Sequence, residues 1–250
     1  MAETPTAALV IIGNEILSGR TRDANLPYLA EFLGRRGIRL AEARVVADET
    51  AAIVEAVNQL RARNRYVFTT GGIGPTHDDI TAAAIAEAFG VPLERNPEAE
   101  RRLLAYYPPD KVTPARMKMA DMPVGVELID NPVSAAPGFV IGNVFVLPGV
   151  PKIMQAMLDG LASRLEGGPP LVSRAIVAYA PEGEIAERLA AVQARHAAVT
   201  IGSYPFMRMG TPGTTVVCRG ADAEAVARAA ADFLAVMREA GVATDEEVLA

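Results

Sequence analysis

The chain has 250 residues, of which 50% are hydrophobic and 22% charged, and its formal net charge is −6. This composition is typical of a soluble globular protein, and the length allows one large α/β domain or a main domain with a small companion. The acidic balance without any basic run excludes a nucleic-acid groove, and the short apolar run of the N-terminal segment indicates neither a signal peptide nor a membrane span.

Strand and helix patterns alternate along the first two thirds of the chain. Short apolar runs predict strands, and apolar residues that recur every three or four positions predict helices, the first of them capped by Asn25. This β-α-β-α-β order predicts a three-layer α/β domain of residues 1–168, with a mostly parallel sheet covered by helices on both faces. The predicted elements are strand 7–12, helix 25–37, strand 43–47, helix 49–63, strand 66–69, helix 80–89, strands 127–129, 138–141 and 144–147, and helix 150–165.

A glycine- and proline-rich segment, residues 166–170, interrupts the pattern and predicts a linker. A β-α-β-β-α order follows, which predicts a small α+β domain of residues 169–250 with an antiparallel sheet. Its predicted elements are strand 172–178, helix 182–195, strands 199–204 and 214–219, and helix 222–240. In the first domain, the stretch 108–123 is expected to form a mobile excursion over the site.

The junction between the third strand and its helix, residues 66–81, reads YVFTTGGIGPTHDDIT. Gly71, Gly72 and Gly74 allow positive φ angles, and the amides of such a turn beside a helix N-terminus form a cradle for phosphate. Asp78 and Asp79 would place negative charge beside that phosphate, unless a divalent cation lies between them. Taken alone, the junction is equally consistent with a tight turn and a capped helix that bind nothing.

Three carboxylates follow three successive predicted strands: Glu15, Asp48 and Asp79. In a parallel sheet the carboxyl ends of the strands lie on one edge, where ligands bind. Each acid alone is explained as a helix cap or a solvated loop residue, but three anions on one rim repel each other unless a cation compensates. The chain has only two histidines, so oxygen ligands and phosphate favour Mg²⁺ or Mn²⁺ over zinc.

The carboxylates therefore predict a metal-assisted nucleotide or pterin-phosphate site. Asp48 and Asp79 would hold the cation, and Glu15 or Asp78 would act as general base. Arg116 and Lys118 could steady a second phosphate, although a solvated helix face is the better explanation for both.

The remaining residues of reactive type have simpler explanations. His77 lies in the turn and His196 at a predicted helix end, where solvent and the helix dipole explain them. Cys218 is the only cysteine and lies in the apolar strand TTVVCRG. A buried, inert thiol and a reducing, cytoplasmic location are therefore predicted.

Four motifs resemble, in content and order, those of the molybdopterin-binding family, specifically its CinA-like N-terminal branch. They are GNEILSGRTRDAN, TTGGIGPTHDDIT, NPVSAAPGF and LPGVPKIM. The resemblance covers residues 9–165, and the later segments SRAIVAYAPEGEIAERL and VTIGSYP resemble the small domain that follows in CinA-like proteins. No motif resembles the amidase domain of longer CinA proteins, so deamidation of nicotinamide mononucleotide is not implied.

The resemblance implies that Glu15, Asp48 and Asp79 line the active pocket and help to hold a metal. Ala24 and Ser134 depart from the family pattern, which often has threonine and glycine at these positions. The further ligand-binding positions that the resemblance implies are Gly71, Gly72, Gly74, Thr81, Asn131, Pro137, Gly138, Pro148 and Gly149.

The implied activity is hydrolysis of ADP-ribose-type or FAD-type diphosphates with Mg²⁺, Mn²⁺ or Co²⁺. The alternative is a protein that binds or adenylylates molybdopterin, and a third possibility is an assembly module without activity. By analogy with the family, a homodimer or homotrimer is expected.

Overall fold

The computed structural model of the chain describes residues 4–208 and 210–247. The chain divides into two compact units, Met1–Gly168 and Pro169–Ala250. The first unit has an α/β fold and the second a small antiparallel α+β fold, which confirms the predicted fold class. No helix of the described residues is both long enough and apolar enough to cross a membrane.

The first unit contains a mixed six-stranded sheet. Its strand order is β2-β1-β3-β8-β7-β6, in which the first four strands run parallel and the last two are antiparallel. Gly142 and Asn143 form the predicted hairpin turn, and β4 and β5 pair separately. The strands are β1 (Thr6–Ile12), β2 (Arg39–Val46), β3 (Tyr66–Thr70), β4 (Leu93–Arg95), β5 (Asp121–Pro123), β6 (Glu127–Ile129), β7 (Gly138–Ile141) and β8 (Val144–Leu147).

Helices cover both faces of this sheet, which explains why β1 is apolar at every position. Val10 packs towards α3 and α4, whereas Leu9 packs towards α2 and α7, so both faces of the strand are buried. The sheet and the helices on its two faces form the three layers. The helices of this unit are α1 (Asn14–Leu17), α2 (Asn25–Gly34), α3 (Thr50–Arg61), α4 (Thr81–Phe89), α5 (Pro97–Tyr106), α6 (Pro114–Met117) and α7 (Pro151–Gly160).

The stretch 108–123 is not the loose excursion that its prolines predict. Met117, Ala120 and Met122 are buried in the core on the α3 side of the sheet. The prolines begin short helical turns here, because their fixed φ suits a first helical position. This stretch is therefore a fixed wall beside the glycine turn.

The second unit has a four-stranded antiparallel sheet in the order β10-β11-β9-β12. Cys218 is fully buried between this sheet and the helices, and burial raises the pKa of its thiol. Hydrogen bonds from Arg195 and His196 lower the pKa of Asp232, which accounts for the histidine at the helix end. The elements are β9 (Val172–Ala178), α8 (Glu182–Arg195), β10 (Thr200–Arg208), β11 (Thr211–Gly220), α9 (Ala223–Glu239) and β12 (Thr244–Glu247).

Candidate functional site

The strand order places a crevice at the carboxyl ends of β1 and β3. The chain runs from β1 outward to β2 and then returns to β3 on the other side of β1. Loops that leave two adjacent strands in opposite directions open a gap between them, and ligands of open α/β sheets bind there. The segments that border this gap are residues 13–24 and 71–80.

The glycines of the turn after β3 are required by its packing. Gly71 has a φ of 106°, and a Cβ atom there would lie 2.1 Å from the carbonyl oxygen of Ile12. Gly72 has a φ of 67°, and its Cβ would lie 2.1 Å from Oγ1 of Thr81. The buried Thr81 hydroxyl donates to the Gly71 carbonyl oxygen over 2.9 Å, so Thr81 holds the turn from within. Phosphate binding by this turn stays a prediction.

Asp79 closes the second half of the turn. Its Oδ2 accepts hydrogen bonds from the Thr76 amide, over 2.8 Å, and from the Thr76 hydroxyl. A Cβ atom on Gly74 would lie 2.7 Å from the same oxygen, so this glycine makes room for the carboxylate. Lys118 Nζ reaches the turn from the opposite wall and donates to the Thr76 carbonyl oxygen over 2.8 Å.

Asp79 and Lys118 line one cavity, which we call the lysine pocket. It measures about 70 Å³ and is also lined by Gly72, Gly74 and Pro137. A carboxylate, an ammonium group and a glycine turn thus border the same small space, a combination suited to an anionic group that brings a cation with it.

The other two acids lie apart from Asp79. Asp48 Oδ2 accepts a hydrogen bond from the Asn14 amide over 2.8 Å and so ties the end of β2 to the loop after β1. Glu15 is exposed in α1 and lines a different cavity. Among the described residues, no three His, Cys, Asp or Glu side chains lie close enough together to hold a metal ion.

The expectation that Glu15, Asp48 and Asp79 converge on one cation is therefore wrong as geometry. Asp48 and Asp79 are each engaged by a backbone amide, of Asn14 and of Thr76 respectively. The side chains supply only oxygen donors and no complete metal cage, so a cation would need further oxygens from a ligand, as Mg²⁺ sites on phosphates usually have. The metal-binding roles of Asp48 and Asp79 stay predictions.

A second cavity lies at the gap between β1 and β3, and we call it the switch-point pocket. It measures about 60 Å³ and is lined by the ends of β1 and β3, by the segment between β1 and α2, and by Gly149 and Pro151. The polar side chains that line it belong to Glu15, Thr21, Arg22, Asp23, Asn25 and Thr70.

Asn25 and Thr70 are the unusual members of the switch-point pocket. Asn25 is 4% exposed and Thr70 is 2% exposed. Asn25 Nδ2 donates to the Gly149 carbonyl oxygen over 2.9 Å, but Asn25 Oδ1 and Thr70 Oγ1 have no hydrogen-bond partner. Buried polar atoms are normally paired, and a third unpaired one, Thr69 Oγ1, belongs to a residue that does not line the pocket.

The predicted capping role of Asn25 is wrong. Its side chain does not bond the helix amides, and Asp23 Oδ2 instead accepts a hydrogen bond from the Leu26 amide over 2.8 Å. Thr70 was not among the predicted site residues. A threonine at the end of a buried strand, next to the D-x-N pattern of residues 23–25, is the signal that would have indicated it.

Asn131 organises its own loop. Its Nδ2 donates to Ser134 Oγ and to the Ala136 carbonyl oxygen, and its Oδ1 accepts from the Val133 and Ser134 amides. The loop contains Ala135 with a φ of 60°, a conformation that few residues other than glycine adopt. The side chain of Asn131 holds this loop in shape, and its role towards a ligand stays a prediction.

We expect Asn131→Ala to lower the free energy of unfolding by about 2 to 3 kcal/mol, because several half-buried hydrogen bonds of about 1 kcal/mol each disappear. Chemical denaturation followed by circular dichroism measures this change. Asn58→Ala is the control, since Asn58 accepts only one side-chain hydrogen bond, from Arg61. A loss no larger than that of the control would contradict a loop-organising role.

The other implied positions are close to the turn. Gly149 packs against Gly71, with a Cβ position 3.3 Å from the Gly71 Cα atom. A Cβ on Gly138 would lie 2.4 Å from the Val146 carbonyl oxygen, so this glycine serves the β7–β8 pairing. Pro148 is half-buried directly before Gly149.

The remaining candidate side chains differ in their surroundings. The side chain of His77 is 98% exposed. Hydrogen bonding, first from Thr76, lowers the pKa of the neighbouring Asp78, which makes it a weaker base. Arg116 donates to the Lys111 carbonyl oxygen over 2.6 Å and stacks on Tyr107, and these contacts account for it without a ligand.

Comparison with known proteins gives a match in both units. Residues 8–167 match the family described as a probable molybdopterin binding domain, and residues 170–246 match the FAD synthase middle domain. A protein CinA from Thermoplasma acidophilum has a similar structure, with a TM-score of 0.61 and 35% identity over 64% of this chain and 98% of that chain.

Two relatives show how far the similarity extends. A CinA-like protein of Desulfosudis oleivorans is 36% identical over 217 residues, which are 82% of this chain and 51% of that protein. This chain thus spans about half the length of that relative. A protein of Archaeoglobus fulgidus is 34% identical over 226 residues, which are 90% of this chain and 95% of that protein.

Proposed function

The chain belongs to the molybdopterin-binding domain family, in its CinA-like branch, and on this premise we propose that it is a divalent-metal-dependent pyrophosphatase. Its substrates would be dinucleotides of the ADP-ribose or FAD type. The observation that carries the proposal is the lysine pocket, where Asp79 and Lys118 lie on either side of the glycine turn.

The charges of the lysine pocket suit a diphosphate that arrives with its cation. The Lys118 ammonium group neutralises part of the phosphate charge, and the turn amides donate to non-bridging oxygens. Asp79 would bind the cation carried by the substrate, whereas Asp48 does not line this pocket. Once bound, the cation would polarise the diphosphate and lower the pKa of a coordinated water.

Hydrolysis needs one water molecule and a base. The water oxygen bonds to one phosphorus atom while the bridging P–O bond breaks, and the base takes the proton that the water loses. Glu15 and Asp78 are the two candidates for that base: the pKa of Asp78 is lowered, and Glu15 lines the switch-point pocket and not the lysine pocket. ADP-ribose would yield AMP and ribose 5-phosphate, and FAD would yield AMP and FMN.

The match of the second unit favours an adenine dinucleotide as substrate. Residues 170–246 resemble a domain of FAD synthase, an enzyme whose name refers to such a dinucleotide. FAD therefore belongs in the first substrate test together with ADP-ribose.

We expect purified protein to release AMP from ADP-ribose or FAD when Mg²⁺, Mn²⁺ or Co²⁺ is added. Separation of the products by chromatography measures the release, and an excess of chelator serves as the control and should abolish it. If neither compound yields AMP with any of the three metals, the pyrophosphatase proposal is wrong.

A second candidate function is the binding or adenylylation of molybdopterin, which the family match of residues 8–167 favours. Retention of a pterin during gel filtration, or transfer of AMP from ATP to that pterin, would support it. Self-association as a dimer or trimer also remains part of the proposal, and light scattering during the same gel filtration measures it.

A further inference from the structure

The switch-point pocket contains the strongest unexplained feature of the first unit. Asn25 Oδ1 and Thr70 Oγ1 are buried without hydrogen-bond partners, and both residues line the same cavity. Neither residue has a part in the lysine pocket. Thr69 Oγ1 is also buried and unpaired, but Thr69 does not line the cavity. Unpaired buried polar atoms destabilise the folded protein, so the two whose residues border the cavity are the ones that a ligand can pair with.

The hydrogen bonds already made in the pocket indicate which donor or acceptor groups that ligand must carry. Asn25 Nδ2 already donates to the Gly149 carbonyl oxygen, so Asn25 Oδ1 is left as an acceptor. Glu15 adds a carboxylate that accepts no hydrogen bond from the described residues, and Thr70 Oγ1 can both donate and accept. Such a set requires donors. Two acids, Glu15 and Asp23, line the pocket against one cation, Arg22, and this balance of charge disfavours a phosphate group there.

The size of the pocket limits which chemical groups it can hold. A volume of about 60 Å³ accommodates only a few water molecules, since one water needs about 10 to 15 Å³. The fused rings of adenine, flavin or pterin are larger than the space that the pocket encloses. Two neighbouring hydroxyl groups on one edge of a sugar fit, and a carboxylate that accepts from ribose hydroxyls is a common arrangement at the edge of such sheets.

We propose that the switch-point pocket binds the vicinal hydroxyl pair of a ribosyl group. The lysine pocket begins at Gly72, only two residues after Thr70, so a ribosyl phosphate can place its hydroxyls in one pocket and its phosphate in the other. The inference rests on the proposed function and deepens it, because it identifies the ribosyl phosphate portion of the dinucleotide as the recognised part.

The test compares the binding of ribose 5-phosphate and 2-deoxyribose 5-phosphate to the full chain by titration calorimetry with Mg²⁺ present. Neither sugar contains a diphosphate, so neither can be cleaved by a pyrophosphatase. We expect ribose 5-phosphate to bind about tenfold more tightly or better, because a site built to pair with a hydroxyl rejects an analogue that lacks it.

Two threonine variants test whether the switch-point pocket causes the preference for ribose 5-phosphate. Thr70→Val keeps the shape of the side chain but removes the hydroxyl, and we expect the preference for ribose 5-phosphate to fall to about threefold or less. Thr69→Val is the matched control, because Thr69 is equally buried and unpaired but does not line the pocket. It should keep the full preference. Circular dichroism of both variants checks that they fold alike.

Three outcomes overturn the inference: equal affinity for the two sugars, no binding of ribose 5-phosphate, or an undiminished preference in Thr70→Val. Binding of Mn²⁺ alone that is lost in Thr70→Val would also overturn it, because the pocket would then be a cation site. If the sugar preference holds but ADP-ribose and FAD stay intact, the pyrophosphatase proposal fails and the ribosyl site stands. If AMP is released but the two sugars bind equally well, the pyrophosphatase proposal stands and the ribosyl site fails.

Discussion

Asp79→Asn is expected to lower kcat/KM for dinucleotide hydrolysis by about 10²- to 10³-fold, the usual effect of removing a group that stabilises charge in a transition state. Asp79 is the carboxylate of the lysine pocket, and its loss removes the negative charge that would bind the cation of the substrate. Asparagine retains an oxygen that can accept from the Thr76 amide, so the turn should keep its shape.

The matched control for this variant is Asp78→Asn. Asp78 carries the same charge one residue earlier, but its side chain is 61% exposed and it does not line the lysine pocket. We expect a change in kcat/KM of about threefold or less, as for a surface group outside the site. Initial rates at several metal concentrations, together with thermal unfolding curves, separate a catalytic effect from a folding effect. Similar rates for Asp79→Asn and the wild type would remove Asp79 from the mechanism.

Gly71→Ala is expected to lower the free energy of unfolding by about 3 to 5 kcal/mol. Positive φ angles cost a residue with a Cβ about 1 to 2 kcal/mol. Forcing an extra methyl group into a packed region costs about 1 to 3 kcal/mol more. Both terms apply at Gly71, because its Cβ would meet the Ile12 carbonyl oxygen, a backbone atom of β1 that cannot turn aside.

Gly19→Ala provides the comparison that separates the two terms. Gly19 has a φ of 71°, but a Cβ there would meet no atom within 4 Å. Only the cost of the positive φ angle remains, so the free energy of unfolding is expected to fall by about 1 kcal/mol. Urea unfolding followed by circular dichroism measures both variants. If the free energy of unfolding falls equally in Gly71→Ala and Gly19→Ala, contact with Ile12 is not what requires glycine at position 71.

The β-α-β-α-β order and the strands β6 to β8 of the first unit could be predicted from the sequence because burial leaves a direct mark on it, whereas β4, α5 and β5 were not predicted. The continuous apolar run of β1 reflects burial on both faces, and Gly142-Asn143 marks the hairpin turn between β7 and β8. The short strand β12 was missed, because its sequence Thr-Asp-Glu-Glu has no apolar alternation. Its position follows from pairing with β9, a distant contact that no local pattern reports.

From the sequence, the candidate site could be located at one edge of the sheet but no more finely. The sequence places an acid after each of β1, β2 and β3, but it does not say which backbone amide each carboxylate meets. Asp48 meets the Asn14 amide and Asp79 the Thr76 amide, and these local bonds decide where the charges lie. The pairing of Asn25 with Gly149, 124 residues away, was likewise beyond any local pattern.

The buried position of Cys218 has a practical consequence for spectroscopy. The first unit contains no cysteine, and the one thiol of the chain is shielded inside the second. A cysteine introduced on the exposed loop at Arg20 or His77 would therefore react alone with a fluorophore or spin label under native conditions. The natural chain therefore contributes no reactive thiol of its own when such reporters are attached to the first unit.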